Sequence, residues 1–295
     1  MNIRSGLVLL TLVSTAHAAE LKPQTVRAWQ EYVQSAIARM QGHLGPESHF
    51  LSIDMDSDAA RRVRSGEILV SPGDSQSEKK VPSGIIHDWL GVAFIAHARL
   101  DDVLSVVRDY DRYKEFYRPT VMDSKTLAKD VREDRFSMVL MNKSLFLKTA
   151  LDSSYKCSSV RLSERRLYTV SESTRIQEIE NYGAPGQRAL PEDEGRGLIW
   201  RLLTITRFEE RDGGVYVELE AIALSRDIPI SLRWIVEPIV RRVSRSSLEI
   251  SLRQTENAVH SSAVVTASDR PGGVCSTATA CVSAAANSSL VQSFH

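Results

Sequence analysis

The chain lacks most features that mark a specialised surface or a recognised reaction. Its 37 basic and 37 acidic residues cancel over 295 positions, so there is no surplus of Lys and Arg to track a nucleic-acid backbone. Three cysteines are too few for a disulfide-stapled scaffold. No apolar run reaches the roughly 18–20 residues that span a bilayer. A Gly-x-Ser-x-Gly elbow, a His-Glu-x-x-His helix, a phosphate-binding Gly-x-x-x-x-Gly-Lys-Ser/Thr loop and a dinucleotide fingerprint are all missing, and with them the standard cofactors. Histidines are few and scattered. His87 and His97 would face the same side of one regular strand but lie about 33 Å apart at strand rise. His43 and His49 have no Cys or carboxylate cluster of ligand spacing around them, so no metal site is expected.

What is present begins with a short leader-like segment at residues 1–18. Arg4 supplies a positive start, Gly6 to Val13 an apolar run, and Ala16-His17-Ala18 a small-x-small cleavage pattern. The expectation is a signal peptide and an exported, periplasmic or secreted protein. At the other end, residues 260–295 are dominated by Ala, Ser, Thr and Gly, with only Asp269 and Arg270 charged. That composition buries too little apolar surface to offset the entropy of ordering, and it reads as a disordered tail. Cys275 and Cys281 both fall in it, and an exported protein could close them into a small disulfide loop. Cys157 is left over as a small buried apolar residue.

Between these ends, Ser71-Pro72-Gly73-Asp74-Ser75-Gln76-Ser77-Glu78-Lys79-Lys80 reads as a polar linker, dividing residues 19–80 from a main domain at 81–259. In the first piece Val26, Trp29, Tyr32, Val33, Ile37 and Met40 recur at three- and four-residue spacing. They predict an amphipathic helix from about Gln24 to Gln41, its stripe packed on the main domain or on a partner protein. The main domain reads as a strand over 85–95, a helix with the stripe Leu100, Val103, Leu104 and Val107, and six strands at about 121–128, 135–141, 145–157, 167–179, 198–210 and 215–226. Asp212-Gly213 joins the last two as a hairpin. A long helix from about Ser231 to Val259 closes the domain, with Pro238 expected to bend it.

Six consecutive strands with one polar face imply an antiparallel sheet, and the final apolar helix is suited to lie across it. On this order the stretch from Leu100 to Pro119, carrying Asp109-Tyr110-Asp111-Arg112-Tyr113, resembles the first-helix signature of the START-like superfamily. That group includes polyketide cyclases and coenzyme-Q-binding proteins. Arg226-Asp227-Ile228-Pro229 running into Trp234-Ile235-Val236-Glu237-Pro238-Ile239-Val240 is similar to the junction before the long helix in its secreted bacterial members. The resemblance covers 81–259. It implies an α+β helix-grip fold, a curved antiparallel sheet of about seven strands around a C-terminal helix, here with an extra N-terminal helix.

Such a fold leaves space between sheet and helix for an apolar small molecule or lipid. Expected around it are Tyr110, Tyr113, Phe116 and Tyr117, either as an entrance or as a lock of helix on sheet. Trp234, Ile235, Ile239 and Val243 are expected on the long helix, and Met138, Leu140, Phe146 and Trp200 on the strands. In the strand 215–225, Glu218 and Glu220 share one face and small apolar residues the other. If the apolar face packs the core, the Glu face is solvated and paired with Arg175 or Arg207; turned the other way, these groups form a buried charge pair and a candidate site. The loop 181–197, with an acidic Glu192-Asp193-Glu194, is either a lid or an insertion without a role. The sequence thus reads first as an exported binding protein for a lipid or other apolar molecule. The alternatives are a cavity enzyme of cyclase or hydrolase type using a carboxylate or Tyr, and a protein-interaction module.

Overall fold

A computed structural model describes residues 20–45, 48–144, 147–228 and 230–268. The leader-like segment, Phe146, Cys275 and Cys281 lie outside these residues, as does the tail after Ser268. The element order matches the main-domain reading closely. A first helix α1 (Pro23–Gly42), with Pro at its first position, is followed by a single turn of 3-10 helix and α2 (Ser57–Arg64), capped by the Asp56 carboxylate. Strands β1 (Leu69–Pro72), β2 (Glu78–Val81) and β3 (Gly84–Ala96) lead to helices α3 (Leu100–Val107) and α4 (Tyr113–Phe116). Then come β4 (Val121–Ala128), β5 (Glu133–Ser144), β6 (Leu147–Arg161), β7 (Arg166–Glu180), β8 (Arg188–Ala189), β9 (Arg201–Arg211) and β10 (Gly214–Arg226). The helix α5 (Ile230–Ser268) ends the described chain.

The strands form one antiparallel sheet in the order β1-β3-β10-β9-β7-β6-β5-β4, with β2 also on β3 and β8 on β7. The fold is α+β with a helix-grip arrangement: a β-α-β6-α core with its long terminal helix laid against one face of the sheet. Among the described residues ten strands rather than seven are present. The three additional ones are short and lie at edges, where alternating apolar patterns are weakest. Residues 71–80 are therefore not a linker. Pro72 pairs with Trp89 and Glu78 with His87, so this polar segment covers the free edge of the thirteen-residue β3.

Alternation along the strands gives the sheet two faces. Inward, Ala93 and Ile95 of β3, Val215 and Val217 of β10 and Phe208 of β9 pack with Leu252 and Val259 of α5 and with Leu100 and Val103 of α3. Gly91 shows how close the helix comes: a Cβ there would lie 2.7 Å from Leu252 Cδ1 and 3.0 Å from Leu248 Cγ. Outward, Ile86, Leu203, Ile205, Ile222 and Leu224 pack with Trp29, Tyr32, Ala36 and Met40 of α1. The stripe of α1 is thus spent on the sheet itself. The final helix continues nine residues beyond the boundary read from composition. Val259 is buried, His260 Nε2 lies 3.0 Å from the Ala96 carbonyl, and the Ser261 hydroxyl bonds the Asn257 carbonyl, so packing carries this weakly apolar stretch past the point where its pattern fades. Pro238 sits inside the helix.

Among the described residues no helix is long and apolar enough to cross a membrane, and no group of three or more His, Cys, Asp or Glu could hold a metal ion.

Candidate functional site

The two halves of α5 behave differently toward the sheet. Around Leu248 and Leu252 the helix is in contact with β3; nearer its start it stands off and leaves a cleft of about 450 Å³. The cleft is lined by Trp89 on the inner face of β3 and by Trp234, Glu237, Pro238, Arg241, Arg242 and Arg245 on the helix. The helix residues fall at offsets of 3, 4, 7, 8 and 11 from Trp234, one face of an α-helix. Trp234 is 76% exposed, an unusual setting for the largest apolar side chain. Arg241 donates to Glu237 Oε1 (2.9 Å) and Glu78 Oε2 (3.2 Å), while Arg242 and Arg245 are exposed. With Arg241 matched by Glu237 and Glu78, the exposed Arg242 and Arg245 guanidiniums make the cleft cationic.

Of the long-helix residues expected here, Trp234 borders the cleft, and Ile239 and Val243 are half-buried. The Ile235 side chain lies outside the described set. Sequence reasoning missed Trp89 and the arginines. The signal was present, since a Trp at position 234 followed by basic residues seven, eight and eleven places on is a helical stripe of mixed character.

The aromatic residues after α3 come together farther along the inner face. Tyr110 stacks on Phe136 with centroids 4.2 Å apart, Phe136 stacks on Tyr155 at 5.1 Å, and Tyr113 packs edge-on to Tyr110, Phe136 and Tyr117. The hydroxyls of Tyr110, Tyr113 and Tyr117 have internal partners. Tyr110 donates to Asp134 Oδ2 (3.0 Å), Tyr113 to the Val107 carbonyl (2.6 Å), and Tyr117 lies 3.1 Å from Thr255 Oγ1 of α5. Phe116 is half-buried against the inner core beneath the Arg112 guanidinium. Met138 packs on this cluster, and Leu140 is half-buried beside it. Burial pushes the Cys157 thiol up to about 11, as suits an inert packed side chain. The geometry here is that of a clasp joining α3, α4 and α5 to the sheet. Trp200 is on neither wall: it packs with Leu21, Trp29 and Leu203 under α1.

The outer face corrects the reading of the glutamates. The small apolar face of β10 does pack the core, yet the Glu face is not solvated: Glu218 is 1%, Glu220 7% and Arg207 5% exposed. The reason is the N-terminal segment, which seals the far side of the sheet. Arg207 pairs with Glu218 directly across the β9–β10 register and donates to the Phe50 carbonyl (2.9 Å). Glu218 Oε2 also accepts from the Ser52 amide (2.9 Å) and hydroxyl (2.5 Å). Beside this pair, Asp88 Oδ2 accepts from the Tyr32 hydroxyl (2.7 Å) and from Arg39 (3.1 Å), and Arg39 also reaches Glu220 Oε1 (2.9 Å). Two buried carboxylates thus share one guanidinium. Burial, then the Asp88 charge, pushes Glu220 up to about 7, and burial likewise raises Asp88. Arg175 is elsewhere, paired with Asp152 (2.8 Å). The loop 181–197 lies outward too: its Asp193 carbonyl accepts from the Leu21 amide, and buried Glu178 holds it by the Arg196 and Leu198 amides.

No family model matches the sequence, and no curated protein does. Among solved structures, a STAR-related lipid transfer protein from Xanthomonas axonopodis is similar over 65% of this chain and 98% of its own, at 16% identity and a TM-score of 0.42. Human STARD10 is similar over 77% of this chain and 87% of its own, at 12% identity and a TM-score of 0.43. An aromatase/cyclase from a Streptomyces species is similar over 59% and 96%, at 12% identity and a TM-score of 0.39.

Proposed function

We propose that the chain is an exported binding protein for an amphipathic small molecule with an anionic head, held between the inner sheet face and the first half of α5. The carrying observation is the cleft of about 450 Å³ with Trp89, Trp234 and Pro238 beside Arg241, Arg242 and Arg245. Its size lies within the range of about 300–1,000 Å³ common for small-ligand sites. Apolar surface shielded there contributes about 25 cal/mol for each Å² removed from water. The arginines select the head group, because a guanidinium fork pairs with carboxylate or phosphate better than with a neutral or cationic head. The leader-like segment supports export.

Tryptophan emission tests the reading directly, since two of the four Trp residues line the cleft. Titration with laurate is expected to shift the emission, dodecyltrimethylammonium to do so far less, and R242E/R245E to weaken the laurate response about tenfold or more. Unchanged emission with every anionic amphiphile sinks the proposal.

A further inference from the structure

Three inner-face side chains next to the cleft form a row that binding alone does not require. Ser225 lies on β10, His87 on β3 and Glu78 on β2, so the row crosses three neighbouring strands. The register places Glu78 directly opposite His87, and Ser225 one diagonal step away, since Ala223 pairs with His87 and Ser225 with Ile85. His87 Nε2 is 3.0 Å from Ser225 Oγ, and His87 Nδ1 is 3.5 Å from Glu78 Oε1. The imidazole is 6% exposed and Ser225 is half-buried, which leaves the hydroxyl the more accessible end. The hydroxyl's other acceptor is the Arg226 carbonyl at 3.3 Å, farther than the imidazole. Neither His87 Nδ1 nor Glu78 Oε1 has a hydrogen-bond partner, and they face each other at an ion-pair distance; the neighbouring His87 imidazole, with help from Arg241, holds the Glu78 carboxyl below the usual carboxylate range. Arg241, whose guanidinium donates to Glu78 Oε2, is also a wall of the cleft, and Trp89 lies two residues beyond His87 on the same face.

We propose that Ser225, His87 and Glu78 form a serine–histidine–carboxylate relay that hydrolyses an ester carried by the molecule in the neighbouring cleft. Ser225 is the nucleophile, His87 the base and then the acid, and Glu78 the positioning residue, whose charge facing Nδ1 favours the tautomer that carries its proton there and leaves Nε2 free to accept. The Ser225 oxygen attacks the ester carbonyl carbon while its proton passes to His87 Nε2. The tetrahedral intermediate collapses, the bond from carbon to the alcohol oxygen breaks, and His87 returns its proton to the leaving alcohol. A water then attacks the acyl–Ser225 ester, giving its proton to His87. Collapse releases the carboxylic acid and restores the Ser225 hydroxyl with that proton. Water is the only co-reactant and nothing is oxidised or reduced. Substrate delivery rests on the binding reading above; the reactivity of Ser225 does not.

The test uses the full chain with two probes. An alkyl fluorophosphonate phosphonylates a serine activated in this way and releases fluoride, and p-nitrophenyl octanoate reports hydrolysis by colour. Labelling at Ser225, found by peptide mass mapping, is expected together with measurable hydrolysis. S225A and H87N, each checked for fold by circular dichroism, are expected to lose the label and at least about 100-fold in rate. E78Q is expected to lose about tenfold and to alter the acid limb of the pH–rate profile, where a purely structural loss would scale the rate equally at every pH. An unlabelled wild-type chain overturns the relay, as does folded S225A hydrolysing at the wild-type rate. The laurate emission shift separates the two proposals. A chain whose emission shifts but that is never labelled keeps the binding reading and loses the relay, and one that is labelled but whose emission never shifts does the reverse.

Discussion

The two faces of one sheet carry opposite kinds of polarity. On the outer face Arg207, Glu218, Glu220 and Asp88 are covered by the N-terminal segment, whose Arg39 reaches Asp88 and Glu220, a layer that joins helix to sheet. On the inner face Arg241, Arg242 and Arg245 border open space with an exposed Trp among them. Charge that is buried and paired holds a fold together and is unforgiving of loss. Charge that edges a cleft adds little to folding and is available to a ligand. Substitutions on the outer face should therefore register in stability, and those in the cleft in binding.

The sharpest test of that division is Glu218→Ala, which leaves Arg207 buried without its carboxylate. A loss of about 3–5 kcal/mol in urea unfolding is expected, and a loss below about 1 kcal/mol would mean that water reaches the layer.

Next comes pH. Glu220 has an ordinary value of 4.5 and is pushed to about 7 in the fold, so the folded chain binds this proton more tightly than the unfolded one. Between those two values folding takes up a proton, and this group's contribution to stability falls as pH rises. Glu220→Gln removes that dependence. The variant should gain on the wild-type chain by up to about 3 kcal/mol between pH 4.5 and 7.5; parallel stability curves would place the proton elsewhere.

A smaller effect is expected where α5 closes on the sheet. Gly91→Ala pushes a methyl into Leu248 and Leu252 and should cost about 1–3 kcal/mol in thermal or urea unfolding. A neutral result would show that the helix lifts easily along its whole length.

The smallest effect on folding belongs to the cleft. Trp234→Ala should change stability by no more than about 0.5 kcal/mol, while weakening laurate binding about tenfold by fluorescence titration. Stability lost without affinity would reverse the assignment of the two faces.

The amphipathic stripe of α1, the six strands from Val121 to Arg226 and the terminal helix were all legible, because each repeats its apolar residues at the period of its own structure. β1 and β2 were not: four-residue strands pairing at an edge are too short to display a period, and the turn residues between them read as a linker. The site was half legible. Trp234 stood out on composition, but Trp89 is indistinguishable by pattern from its core neighbours on β3. Ser225, His87 and Glu78 are spread over 148 residues of sequence and meet only through strand pairing.

The sequence by itself determined the α+β order, the antiparallel sheet and the alternation that puts Glu218 and Glu220 opposite the small apolar residues of β10. Those features depend on periods within single segments. Tertiary structure alone decided that the charged face is buried, since its cover comes from residues more than 150 positions away. It also decided where α5 touches the sheet and where it stands clear. Neutral overall charge concealed both outcomes, because a count of charges records neither what covers them nor which of them face one another.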